Sequence, residues 1–167
     1  MTVALWSYAS PIGPLGLATD GAVVLGCSFG RLDGGLERTV RRLWPESEIA
    51  SGEPALSVIR ALDRYFSGVR DALQEIEWRA PGEDFQSRVW RALAAIPAGA
   101  TISYGEMACR AGEPGAAQAA GVALNRNPIP LILPCHRVVG HDGALVGFGG
   151  GVERKTWLLA HEGALLL

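Results

Sequence analysis

Cys135 and His136 stand side by side in the run LPCHRVV, and a carboxylate, Glu162, follows further along in AHEG. A thiol attacks carbon only as thiolate, and an ordinary cysteine is only a few per cent ionised near neutral pH. A histidine can take the thiol proton, directly or through one water. A carboxylate can hold that histidine in the productive tautomer. Residues 135, 136 and 162 therefore have the types needed for nucleophilic chemistry. Their spacing alone equally permits a buried structural thiol beside an incidental histidine. Of the other cysteines, Cys27 reads as packing in an apolar strand pattern and Cys109, in a helical one, as packing or surface. The sequence has no CxxC pair, and no histidine precedes His136, so neither a metal site nor a disulfide framework is expected. His141 reads as a loop residue and His161 as a helix-end residue.

Elements must bring these groups together. Alternation at Ala4, Trp6 and Tyr8, the turn SPIGPL, and the Asp20-Gly21 hairpin signal before AVVLGCSF predict strands over residues 1–32. Leu36, Val40 and Leu43 mark one helix face, and Leu56, Ile59, Leu62 and Phe66 another. Residues 72–78 read as a further strand. Near Ala80-Pro81-Gly82 the texture turns helical, which divides the chain into residues 1–81 and 82–167. An amphipathic helix spans 84–96. Ser103 and Glu106 have capping-box spacing ahead of a short helix to Arg110. After Gly112-Glu113-Pro114-Gly115 comes a helix of small residues, about 116–124. Helix, glycine turn and helix at these lengths form a helix-turn-helix layout. LIL then leads an extended segment through residues 134–139, a glycine-rich loop follows (Gly143, Gly147, Gly149, Gly150, Gly151), and a last helix runs over 152–160.

Composition bounds the function. Half of the 167 residues are apolar (49%) and the formal net charge is −2, so a core is affordable and binding to nucleic acid cannot rest on bulk positive charge. No apolar run reaches the ~18 residues of a membrane span. The opening MTVALWSYASPIG lacks a basic start and a long apolar stretch, so no secretory signal and a cytoplasmic location are expected.

The run NPIPLILPCHRVVG resembles the active-site signature of the O6-alkylguanine-DNA alkyltransferases, the methylated-DNA–protein-cysteine methyltransferases. FQSRVWRALAAIPAGATISYGEMA is similar to the stretch leading into their helix-turn-helix, and GGGVERKTWLLAHEG to their C-terminal helix. SPIGPLGLA and ALDRYFSG are similar to their amino-terminal domain, so the likeness covers about residues 5–163. It implies an α/β first domain, ribonuclease-H-like with a short antiparallel sheet and helices, then a mainly α winged helix-turn-helix domain. It implies a stoichiometric, direct-reversal repair protein that takes an alkyl group from O6-alkylguanine, with O4-alkylthymine a further candidate. The partner is double-stranded DNA carrying the lesion. A monomer without cofactor is expected, and cooperativity along DNA is left open.

The resemblance also assigns roles. Cys135 would accept the alkyl group, His136 would act as base through a water, and Glu162 would hold His136. Asn127 would pin the turn before the site. Tyr104 would crowd the target nucleotide and help turn it out. Leu124 and Pro130 would line the base pocket, the Val138 carbonyl would meet the guanine amino group, and Phe148 would lie over the flipped base. The small-residue helix would enter the minor groove. Gln118 stands where the family usually has an intercalating arginine, and Arg126 is a candidate for phosphate contact. Three other readings compete. An alkyltransferase-like protein binds the lesion without transfer but lacks the acceptor cysteine. A winged-helix regulator has no use for the 127, 135, 136 and 162 set. A cysteine hydrolase would turn over and need an oxyanion hole.

Overall fold

The structure, a computed structural model, describes all residues except 31, 33, 141, 142, 146, 147, 149 and 165–167. His141, Gly147 and Gly149 thus lie outside the described residues. The chain forms two compact units: Met1–Pro81 with Pro128–Pro130, and Gly82–Asn127 with Leu131–Leu167. The sequence division placed residues 128–130 in the second unit. They pack in the first, where the Pro128 carbonyl accepts the Cys27 amide at 2.9 Å.

In the first unit, β1 (Thr2–Ser10), β2 (Gly13–Asp20) and β3 (Val23–Phe29) form an antiparallel meander. The Asp20-Gly21 turn places Gly21 at φ 59°, the left-handed geometry such a hairpin requires. The sheet is not purely antiparallel as expected. A fourth strand, β4 (Glu48–Ser51), adds parallel to β1 at the edge, giving the order β3-β2-β1-β4. Its EIAS sequence half-buries only Ile49 and so carries little alternation to read. Helix α1 (Gly35–Leu43) turns Leu36 and Val40 onto Val3, Ala18 and Leu25. Gly26 allows that approach, since a Cβ there would lie 2.8 Å from Leu36 Cδ1. Helix α2 (Leu56–Phe66) buries Val58, Ala61, Leu62 and Tyr65, so the inward stripe is not the expected Leu56, Ile59, Leu62 and Phe66: only Leu62 is shared, and Leu56 is 66% exposed. Residues 72–78 are not a strand. Ala72–Glu75 is a 3₁₀ turn, because Ala72, Leu73 and Ile76 are buried at helical spacing, and Trp78 alone bridges to Val24.

In the second unit, α3 (Phe85–Leu93) begins at Asp84, whose carboxylate accepts the Ser87 amide at 3.0 Å. Val89, Trp90 and Leu93 face inward, and Trp90 Nε1 donates to the Ala123 carbonyl at 2.8 Å. That bond ties α3 to α5 (Ala117–Asn125), which follows α4 (Tyr104–Arg110) after a turn. Ser103 caps α4 by accepting the Glu106 amide at 3.1 Å, as the capping-box spacing predicts. The Glu106 side chain instead pairs forward with Arg110. Two short parallel strands, β5 (Ile102–Ser103) and β6 (Val138–Val139), are too brief to show a period. They matter because β5 runs straight into Tyr104 and β6 leaves the turn that carries Cys135. Helix α6 (Val152–His161) ends at Glu162. Among the described residues no helix is long and apolar enough to cross a membrane.

The segment before Cys135 is not simply extended. Leu131 is fully buried at φ 75°, the one non-glycine residue with positive φ among those described. Left-handed geometry costs an L-residue roughly 1–2 kcal/mol. Glycine is ordinarily about 0.5–1 kcal/mol worse than alanine. At this position the order should reverse: Leu131→Gly should be at least as stable as Leu131→Ala in urea denaturation. If alanine is better by the usual margin, the backbone there carries no strain.

Candidate active site

The catalytic candidates sit on a short piece of backbone held from several sides. Pro134, at φ −81° and ψ 70°, forms an inverse γ-turn in which the Cys135 amide donates to the Leu133 carbonyl at 2.8 Å. Asn127 Nδ2 donates to the same carbonyl at 2.8 Å, closing the chain between residues 127 and 133. Cys135–Arg137 then make one 3₁₀ turn, not the extended run expected, and only Val138–Val139 pairs as strand. The proline fixes φ and supplies a carbonyl that accepts the Arg137 amide at 3.0 Å.

The turn buries Cys135, His136 and Arg137 together. His136 Nε2 and Glu162 Oε2 lie 2.8 Å apart, with both side chains fully buried. Gly99 lets the end of α6 settle there. It has φ 90°, and a Cβ on it would stand 3.2 Å from the Glu162 carbonyl oxygen. The Arg137 guanidinium grips the same carboxylate with Nε to Oε1 and Nη2 to Oε2, each 2.8 Å, and sends Nη1 to the Ile96 carbonyl at 2.6 Å. Lys155, on α6, is buried with Nζ donating to the Val138 carbonyl at 2.7 Å. His136 Nδ1 is buried and has no hydrogen-bond partner among the described residues.

Electrostatics follow from that packing. Burial raises the Cys135 thiol, partly offset by hydrogen bonds from Asn127 and the local backbone and by the Lys155 charge, so the resting group is a thiol. Burial lowers His136, against the pull of Glu162, so the ring is neutral. Burial would raise Glu162, but hydrogen bonds from Arg137 and His136 outweigh it and hold the carboxyl well below the usual carboxylate range. An ionised Glu162 makes His136 donate through Nε2 and leaves the Nδ1 lone pair as proton acceptor. Burial likewise lowers Lys155, against the Cys135 charge, and raises Tyr104, whose phenol also feels that charge.

Residues 84–164 match the DNA binding domain of 6-O-methylguanine DNA methyltransferase. A methylated-DNA–protein-cysteine methyltransferase of Mycobacterium bovis is 45% identical over 157 residues, 92% of this chain and 88% of that protein. This chain belongs to the methylated-DNA–protein-cysteine methyltransferase family. The Salmonella typhimurium protein of the same name is 50% identical over 103 residues, which span 62% of this chain and 60% of that protein. The crystal structure of Mycobacterium tuberculosis OGT in complex with DNA superposes with TM-score 0.75 at 38% identity, covering 98% of this chain and 94% of that one.

The chain gathers Asn127, Cys135, His136 and Glu162 into one hydrogen-bonded cluster, with Tyr104 near enough to feel the sulfur. The Tyr104 ring packs beside Gly121 of α5, 3.8 Å from where a Cβ would be. Gln118 lies on the exposed face of α5 with Ala119, Val122 and Asn125, and Arg126, also exposed, caps the end of that helix. Leu124 is buried in α5 and Pro130 is half-buried in the first unit. Phe148 is half-buried, its carbonyl accepting the Gly151 amide at 3.0 Å. The Val138 carbonyl accepts from Lys155. Sequence reasoning assigned no role to Arg137 or Lys155. Lys155 left a trace, since it lies three and four residues before the buried Leu158 and Leu159, on the apolar stripe of α6.

Proposed function

We propose that the protein repairs O6-alkylguanine in double-stranded DNA by moving the alkyl group irreversibly to Cys135. The observation that carries this is a buried thiol beside a neutral histidine whose Nδ1 is unengaged and whose Nε2 is held by an ionised glutamate, in a chain of this family. The thiol proton passes to His136 Nδ1, through a water. The sulfur attacks the alkyl carbon in line, the S–C bond forms, the C–O6 bond breaks, and its electron pair stays with guanine, which takes up one proton in place of the one given to His136. The product is a thioether that water does not displace, so each molecule acts once. The balance closes without cofactor or metal.

The target carbon is out of reach in stacked DNA, so the nucleotide must be flipped. We read α4 and α5 as a helix-turn-helix in a winged domain and the first unit as ribonuclease-H-like. The exposed α5 face, with Ala119, would let backbone approach the minor groove. Tyr104 would crowd the flipped nucleotide's phosphate. Leu124, Phe148 and the Val138 carbonyl would receive the base. Three free cysteines, two of them buried, fit a reducing cytoplasm. Incubation with O6-methylguanine duplex, followed by weighing the intact protein, should show one methyl mass on the peptide containing Cys135. Lesion binding with no mass gain would leave only a lesion-binding protein.

Gln118 is exposed where a wedge would enter. Gln118→Arg should tighten duplex binding and speed duplex repair, because a cation gains in the negative groove and a longer stem fills more of the gap. It should steepen the slope of log affinity against log salt by roughly one unit. The gain should be confined to duplex. Equal gains with a free-base substrate, benzylguanine, would mean that position 118 acts through the pocket and not as a wedge.

A further inference from the structure

We infer that Arg137 is a positioning residue for the transfer, a counter-charge that lets Glu162 orient His136 without trapping it as imidazolium. The inference rests on the reading of Cys135 as nucleophile and His136 as base. A carboxylate bound to a buried imidazole does two things. It fixes the ring, and it favours the protonated ring, which can accept no further proton. A base held this way needs the first effect without the second.

The geometry separates them. Arg137 is 4% exposed and spends its fork on Glu162, Nε to Oε1 and Nη2 to Oε2 at 2.8 Å each. Its third bond, Nη1 to the Ile96 carbonyl, anchors the guanidinium to backbone outside the turn. Glu162 Oε2 is thus shared by His136 Nε2 and Arg137 Nη2, and the carboxylate charge is matched before the imidazole is considered. Lysine could supply the charge but not two parallel bonds in one plane. Among the described residues, the ionisable groups facing His136 are Glu162 and Lys155 from α6 and Cys135 and Arg137 from its own turn, with Tyr104 of α4 beyond the sulfur. Of these only Glu162 favours the imidazolium at neutral pH, while Arg137 and Lys155 both oppose it.

The test reads the ring directly. Nitrogen NMR of His136 in the wild-type protein should show the neutral Nε2–H tautomer at pH 7. In Arg137→Gln the titration midpoint should rise by about one pH unit or more, and the acid limb of benzylguanine inactivation should move up in pH by the same amount. Arg137→Lys should return the midpoint to within a few tenths of a unit while the rate stays below wild type, since charge is restored and the fork is not. An imidazolium in the wild type at pH 7, or an Arg137→Gln midpoint equal to wild type, overturns the inference. Should Arg137→Gln not fold, the wild-type tautomer and the Arg137→Lys midpoint decide it. If the wild-type protein is not alkylated at all, the functional reading fails, and the NMR titration still reports whether Arg137 governs His136.

Discussion

Cys135→Ser should leave a protein that still binds alkylated duplex and never takes up its alkyl group. The substitution changes one atom. Serine keeps the shape of the side chain and can keep the hydrogen bond to Asn127, so stability should move by about 1 kcal/mol or less. The chemistry does not survive. A hydroxyl is far less acidic than a thiol, and neutral His136 is too weak a base to generate alkoxide in a buried site. Oxygen is also the poorer nucleophile toward saturated carbon. Intact mass after exposure to O6-methylguanine duplex should therefore be unchanged, while a gel-shift assay retains preference for the lesion. One methyl mass on the serine variant would show that the acceptor lies elsewhere.

The elements that could be read from sequence were those with long periods or strong local chemistry. The Asp20-Gly21 hairpin, the Leu36/Val40 face of α1 and the Ser103 cap declare themselves through turn geometry or 3.6-residue spacing, whereas the α2 pattern predicts a helix but the wrong face, since only Leu62 of the expected stripe is fully buried. The misses share a cause. β5 and β6 are two residues each, and β4 sits at an edge with one half-buried side chain, so none shows an alternation. Residues 72–78 mix small and apolar types that suit either a strand or a 3₁₀ turn. At the site, the cysteine, histidine and glutamate drew notice because their types suggest chemistry. Arg137 and Lys155 did not, because a charged residue is read as solvated unless its partner is known. Arg137 finds its partners 41 and 25 residues away, at Ile96 and Glu162, which no local pattern reports.

Glu162 should prove as important to the fold as to the reaction. Glu162→Ala leaves the Arg137 guanidinium buried with the Ile96 carbonyl as its remaining acceptor within the cluster. Stranding one member of a buried pair typically costs about 3–5 kcal/mol, so the variant should unfold at clearly lower denaturant. Glu162→Gln is milder, since it keeps one acceptor oxygen, but its amide must point a donor at Arg137 or His136. With the ring no longer held, transfer should slow by about 100- to 10,000-fold, the usual worth of a positioned base. Acid separates the charge from the packing. The Glu162 carboxyl is held below its unfolded value, so its stabilisation is complete above the ordinary carboxylate pKa of about 4.3 and drains away as pH falls below it. The stability gap between wild type and Glu162→Gln should therefore be constant from pH 6 to 8. It should narrow by up to about 1.4 kcal/mol for each pH unit below that carboxylate value. Comparing the two proteins removes the other carboxylates, which titrate in both. A gap that stays constant down to pH 3 would mean that the carboxylate serves by shape and hydrogen bonding alone, and that Arg137 gains nothing from its charge.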